Sequence, residues 1–286
     1  MVAEGILMNK IPFTKMNGAG NDFIVFDNRD GILDNLDLKA FVKKICDRRF
    51  SLGADGVLVL ENSKIADFSM RYFNSDGSEA EMCGNGARCI ARFAYLKGVA
   101  KEKMIFETKA GLYEAEVVED RVRVKFPDVD LSKIQLDQSY KFSEELEKYH
   151  FATVGVPHTV FYVDDFSNLT HEKIVELGRK VRYCTEIFPK GANVNFVKVI
   201  DENTIAVRTY ERGVEDETYA CGTGAVSCAI VSTLLGKVKP PVVVKVLGGT
   251  LKVHFKIEGQ KTTEIFLEGD ARVVAEGYIL PDGWSW

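Results

Sequence analysis

The 286-residue sequence reads as an α+β protein made of two tandem copies of one fold. Two features carry that reading: a motif that recurs with its surroundings at a fixed offset, and one order of strand and helix patterns in both halves. "CGNGARCIA" begins at Cys83 and "CGTGAVSCA" at Cys221, 138 residues later. Upstream, "GADGVLVL" starts at Gly53 and "GANVNFVKV" at Gly191, also 138 apart; downstream, Gly111 in "KAGLYEAEV" matches Gly249 in "LGGTLKVHF". "GNDFIVFD" and "VPHTVFYVD" run in parallel, with Asn21 and His158 separated by 137 residues. This period far exceeds that of solenoid repeats, so a domain-sized unit is duplicated. Residues 1–127 with 270–286 form the half carrying Cys83, and residues 128–269 the half carrying Cys221. The copies meet in "PDVDLSKIQLDQSY".

Taken in order, the patterns agree in the two halves. "FIVFDN" and "TVFYVDD" are β-branched and aromatic, as strands are. "DLKAFVKKICDRRF" and "THEKIVELGRKVRYC" have helical periodicity. "GVLVLEN" and "NVNFVKV", then "FSMRYFN" and "IAVRTYE", read as strands. Each C-G-x-G-A opens a helix. The first carries an apolar stripe of Ala87, Ile90, Ala91 and Ala94 and is capped near Gly98. The second, "AVSCAIVSTLL", is apolar nearly all round and ends at Gly236; such a helix is buried, wrapped by its own sheet. Hairpins with glycine-rich turns follow in both halves. A last strand, "ARVVAEGYI", is expected to close back onto the first half.

Composition narrows the function. The chain is 46% hydrophobic and 28% charged, with a formal net charge of −5 and no basic stripe, which argues against nucleic acid as a partner. No apolar run approaches the roughly 18 residues of a membrane span. No signal peptide is evident in "MVAEGILMNK", so a cytoplasmic protein is expected, and Met8 is a candidate alternative start. Six cysteines in a long chain without a secretory signal do not suggest a disulfide scaffold. Their spacings do not match the C-x2-C pairs of zinc sites. Cys46, Cys89, Cys184 and Cys228 are expected to pack as small buried hydrophobes.

Cys83 and Cys221 are different because of where they sit. Glycines after each let the chain turn tightly and leave amide N–H groups open. The start of a helix favours anions. Two anions fit there: a thiolate, and a substrate carboxylate held by the amides. If the halves face a common cleft, a carbon held there meets one acid/base thiol on each side, which suits stereochemical inversion. A carboxylate bound at both helix starts would stabilise the carbanion. Neither pyridoxal phosphate nor a metal is called for. Asn74 lies nine residues before Cys83, and Glu211 and Arg212 lie ten and nine before Cys221. The Glu-Arg pair reads either as a surface salt bridge or as a zwitterion reader, with Arg212 gripping a carboxylate in bidentate fashion. His158 and Asn193 complete the set; the histidine is either structural or sets a thiol's protonation.

Together these stretches resemble the diaminopimelate epimerase family, over nearly the whole chain: "KMNGAGNDFIVFDN", "FNSDGSEAEMCGNGARC", "GVPHTV", "GANVNF" and "ERGVEDETYACGTGA". The resemblance implies two pseudo-symmetric halves, each a curled, mostly antiparallel sheet around a central helix. It implies interconversion of LL- and meso-2,6-diaminopimelate, in lysine and peptidoglycan precursor synthesis, without pyridoxal phosphate or any other cofactor, by a homodimer. Cys83 and Cys221 would be the acid/base thiols, and His158 and Glu211 their proton-transfer neighbours. Asn21, Asn74, Asn193 and Arg212 would bind the substrate, chiefly its distal end, with Glu211 on the distal ammonium. The amides of Gly84, Asn85, Gly222 and Thr223 would hold the reacting carboxylate. The chain departs from the family pattern at Val156, where many members have Asn, and at Gly56, where some have Gln. The segment "VEDETYA", with Glu215 and Asp216, is one residue longer. Proline or hydroxyproline racemases of the same fold are the nearest alternative, but they usually carry His where this chain has Asn85. A thiol–disulfide or metal-binding protein is disfavoured by the cysteine spacings. A nucleotide-binding module is disfavoured because no complete phosphate-loop pattern is present.

Overall fold

A computed structural model describes residues 10–286; the candidate start at Met8 lies outside the described residues. The chain divides into one unit of residues up to Val124 plus Gly269–Trp286, and a second of Lys125–Glu268.

In the first unit the strands pair in the order Arg272–Ile279, Ile11–Gly18, Asn21–Asp27, Gly56–Glu61, Phe68–Asn74, Lys103–Thr108, Gly111–Val118 and Arg121–Lys125. Most neighbours are antiparallel. The parallel pairs are Asn21–Asp27 with Gly56–Glu61 and Phe68–Asn74 with Lys103–Thr108. Each needs a crossover, and a helix supplies it. Helix α1, Leu38–Ile45, makes the first, capped by the Asp37 side chain on the Ala40 amide. Helix α2, Gly84–Leu96, makes the second. The two helices lie against different strand faces. Ile24, Phe26, Val57 and Val59 pack with Phe41, Val42 and Ile45 of α1. Phe23, Val25, Leu58, Phe68 and Phe106 pack with Ala87, Ile90, Ala91 and Ala94 of α2, the predicted stripe. The strand Arg272–Ile279 pairs with Ile11–Gly18, as its sequence led us to expect.

The second unit repeats this order. Lys148–Val154, Val156–Tyr162, Asn193–Asp201, Thr204–Glu211, Val242–Val246, Gly249–Glu258 and Lys261–Asp270 pair in turn. Helix α3, His171–Arg182, and helix α4, Gly222–Leu234, make the crossovers. The run Gly224–Ser232 of α4 is buried throughout, which is why its sequence shows no polar face. Both central helices end in the same way. Gly98 and Gly236 have φ of 68° and 69°. The following amides, of Val99 and Lys237, reach back to the carbonyls of Ala94 and Ser232 at 2.8 and 2.9 Å. A residue with a Cβ is strained in that left-handed position, so glycine stops each helix.

One expectation needs correcting. Cys46, Cys89 and Cys228 are buried, but Cys184 is only half-buried. It follows the last turn of α3, beside Tyr140, where the chain leaves the core at the helix end. Helical periodicity in "GRKVRYC" continues past the point where the helix stops facing the core.

Candidate active site

Cys83 and Cys221 are the N-cap residues of α2 and α4. Both have extended backbone, with φ of −138° and −115°, and neither side chain caps its own helix. The first intrahelical bonds run from Ala87 to the Cys83 carbonyl and from Ala225 to the Cys221 carbonyl, at 2.7 and 2.9 Å. The amides of Gly84, Asn85 and Gly86, and of Gly222, Thr223 and Gly224, therefore have no partner inside the helix. Each motif presents a thiol and three N–H groups at the positive end of a buried helix. The other core thiols are chemically quiet: burial pushes Cys46 and Cys89 up to about 12 and Cys228 well above its usual value.

The second glycine of each motif is a packing requirement. A Cβ on Gly86 would stand 3.0 Å from Leu58, and one on Gly224 only 2.6 Å from Asn195 Oδ1. Asn195 has no freedom to retreat, because its amide is hydrogen-bonded on both sides. Gly224→Ala is expected to cost about 1–3 kcal/mol of stability through overpacking. Gly84→Ala, where a Cβ meets nothing within 4 Å, is expected to be near neutral. Equal melting temperatures for the two variants would contradict this packing account.

Around Cys83 the structure brings Asn21 and Asn85 into direct contact, Asn85 Nδ2 donating to Asn21 Oδ1. Charges lie at both ends of this amide pair. Arg88 Nη2 donates to Asn85 Oδ1 at 2.8 Å, and Asn21 Nδ2 donates to Asp55 Oδ2 at 3.1 Å. Asp55 shares Arg48 with Asp22 at 2.8 and 2.6 Å, and Lys15 reaches Asp22 at 2.6 Å. Burial alone would raise the Asp22 carboxyl, but Arg48 and Lys15 outweigh it and hold it well below the usual carboxylate range. Asn74 ends its strand opposite Gly56, at a turn where its Nδ2 donates to Ser78 Oγ at 3.0 Å. Gly56 has no room for a side chain: a Cβ there would meet the Phe73 carbonyl at 2.6 Å and the Tyr72 ring at 2.8 Å.

Around Cys221 the candidate residues form one connected group. His158 is fully buried. Its Nε2 lies 2.9 Å from Thr223 Oγ1, which lies 3.5 Å from Cys221 Sγ. Asn193 Oδ1 accepts from the Arg212 amide at 2.7 Å. The Arg212 guanidinium donates to the carbonyls of Lys190 and Gly191 at 2.9 and 3.4 Å. Among the described residues it has no carboxylate partner, so Glu211 and Arg212 do not form the surface ion pair that their sequence also allowed. Arg208, four residues earlier in the strand Thr204–Glu211, is instead neutralised by Glu217 at 2.6 Å. Burial raises the Glu211 carboxyl, with the Thr218 hydroxyl pulling weakly the other way. The longer segment folds as a tight hairpin: Glu215, at φ 61°, binds Arg182 at 3.0 Å, the Gly213 amide at 3.0 Å and Tyr210 at 3.0 Å. Glu215 thus anchors the turn that follows Arg212.

Burial, reinforced by the field of Arg212, pushes the His158 pKa down to about 3. A histidine held neutral in the fold but free to ionise when unfolded favours the unfolded state as pH drops. The stability it contributes is complete above its unfolded value of 6.5 and is lost progressively as pH falls from there toward 3. By pH 5 the loss is about 2 kcal/mol. Denaturation of wild type should therefore be steeper in acid than that of His158→Gln; identical pH dependence would overturn the assignment.

Sequence reading missed Asn195, Thr209 and Arg88. Asn195 is legible afterwards: it lies two residues from Asn193 and so shares its strand face. Arg88 is fully buried, donating to the Asp270 and Gly84 carbonyls at 3.3 and 3.4 Å as well as to Asn85. Its only signal was a charge inside the helix's apolar stripe.

The family model of diaminopimelate epimerase matches residues 13–130 and 150–274. A diaminopimelate epimerase of Aquifex aeolicus is 44% identical over 277 residues, covering 93% of this chain and 97% of that protein. One from Archaeoglobus fulgidus is 44% identical over 285 residues, covering 94% and 96%. Among solved structures, a phenazine biosynthesis protein of the PhzF family from Bacillus anthracis superposes with a TM-score of 0.69 at 16% identity, covering 95% of this chain and 99% of that one. A hydroxyproline epimerase from Agrobacterium vitis gives 0.63 at 17% identity, covering 96% and 95%. At these identities the structures speak for a common fold alone, in keeping with the α+β architecture described above.

Proposed function

Because the chain belongs to the diaminopimelate epimerase family and is thus an isomerase, we propose that it interconverts LL- and meso-2,6-diaminopimelate by two-base proton transfer at the α-carbon. The observation that carries this reading is the repeated placement of a cysteine at the N-cap of a buried helix, once in each copy of the fold. One thiolate removes the α-proton, and the other thiol delivers a proton to the opposite face. The amides of Gly84, Asn85, Gly222 and Thr223 take the α-carboxylate and stabilise the charge that flows into it. Arg212, whose guanidinium has only carbonyl partners among the described residues, takes the distal carboxylate, and Glu211 the distal ammonium. Asn21, Asn74 and Asn193 supply the remaining polar contacts. A substrate without the second amino-acid head would leave these groups unpaired, so selectivity is expected to be narrow. The reaction would serve lysine and peptidoglycan precursor synthesis.

The test is incubation with LL-diaminopimelate in D2O. The expected result is deuterium at the α-carbon together with the meso isomer. Neither exchange nor epimerisation by correctly folded protein would sink the proposal.

A further inference from the structure

The surroundings of His158 determine which of its nitrogens carries the proton. Asn195 Nδ2 lies 3.2 Å from Nδ1. The orientation of that amide is fixed independently: Nδ2 also donates to the Thr159 carbonyl at 2.8 Å, while Oδ1 accepts from Thr209 Oγ1 at 2.9 Å. A flipped amide would set oxygen against a carbonyl. Nδ2 is therefore a donor toward His158, and Nδ1 must be the bare nitrogen. A neutral imidazole has one proton, so it sits on Nε2. There, Thr223 Oγ1 accepts it at 2.9 Å. Asn193 Nδ2, at 3.5 Å from Nε2, is too distant to compete. Its Oδ1 is committed to the Arg212 amide.

The consequence runs along the line. A Thr223 hydroxyl that accepts from His158 directs its own proton elsewhere, and Cys221 Sγ lies 3.5 Å away. An imidazolium would set a second N–H against the Asn195 donor, and Arg212 is the charged group whose field opposes it.

We propose that Asn195 is a positioning residue that locks His158 as its neutral Nε2–H tautomer, so that His158 and Thr223 donate hydrogen bonds toward Cys221 and stabilise its thiolate instead of accepting its proton. This rests on the reading of Cys221 as an acid/base group. Under it, the Cys221 proton is exchanged with the substrate carbon and not stored on His158. The histidine acts through Thr223, and its charge does not change in the cycle.

Two readouts test this without substrate, so that an error in the substrate assignment is distinguishable from an error here. The first is the 15N spectrum of histidine-labelled full-length protein, with His158 assigned by its loss in His158→Gln. A neutral Nε2–H form from pH 6 to 8 is expected. Asn195→Asp, whose carboxylate attracts a proton to Nδ1, should swap the tautomer or charge the ring. An Nδ1–H form or an imidazolium in the wild type at pH 7 overturns the proposal. The second is the ultraviolet titration of the Cys221 thiolate in a Cys83→Ala background. Thr223→Val, which keeps the helix amide, should lower the thiolate fraction about tenfold, the effect of losing one hydrogen bond to a charged group. Thr223→Ser should restore it. An unchanged titration in Thr223→Val overturns the proposal even if Asn195→Asp fails to fold.

Discussion

Cys83→Ala and Cys221→Ala are each expected to lower the steady-state rate of epimerisation by at least about 10³-fold, within the usual range for loss of a positioned acid or base. Each substitution removes a small side chain at an N-cap where the sulfur makes no capping bond, so the helix start itself is undisturbed. The remaining buried thiols cannot substitute: Cys89 and Cys228 lie deep in their cores with strongly raised pKa values. Because inversion needs removal on one face and delivery on the other, the losses should be similar in both directions of reaction. Combining the variants should add little, as for residues that act as a unit. Serine in place of either cysteine should do scarcely better than alanine, since an alkoxide is far less accessible than a thiolate at neutral pH. Rates from chiral analysis of the product, with circular dichroism to verify folding, decide the matter. Full activity in either alanine variant would rule out two-base chemistry.

Arg212→Met should reduce kcat/KM by about 10²–10³-fold, mostly through KM, corresponding to the 2–5 kcal/mol range for truncating one member of a desolvated charge pair. The prediction depends on what the guanidinium does in the fold. It is held by two backbone carbonyls and, among the described residues, by no carboxylate, so it is positioned without being neutralised. Its loss should barely affect melting temperature. Arg208→Met is the control. That side chain pairs with Glu217, whose carboxylate is only 2% exposed, so the variant should be unstable. Arg212→Lys should recover only part of the activity, because an ammonium cannot grip a carboxylate bidentately. A variant of Arg212 that melts early with an unchanged KM would make Arg212 structural.

Much of this was legible in the sequence because duplication writes each feature twice. The offset of 138 residues located both thiols, both helix starts and the capping glycines Gly98 and Gly236. The apolar stripe of α2 and the all-round apolarity of α4 were periodicity signals, and both helices pack accordingly. What stayed hidden was specified by contacts distant in sequence. The burial of Arg88 depends on the Asp270 carbonyl, 182 residues away. The role of Asn195 depends on Thr159 and Thr209, which only strand pairing brings to its side. Cys184 was misjudged because periodicity reports which face a residue occupies and not where its helix leaves the core.

Gly86 and Gly224 are the second glycines of the two motifs. They hold the same place in the two copies, yet Gly86 abuts the hydrocarbon of Leu58 and Gly224 abuts the amide of Asn195. The two copies share the geometry of this turn and differ in the chemistry of the wall behind it. Under the proposed function, two acid/base groups serving opposite configurations of one carbon can be tuned separately, because a mutation in the wall of one copy leaves the other copy's wall untouched.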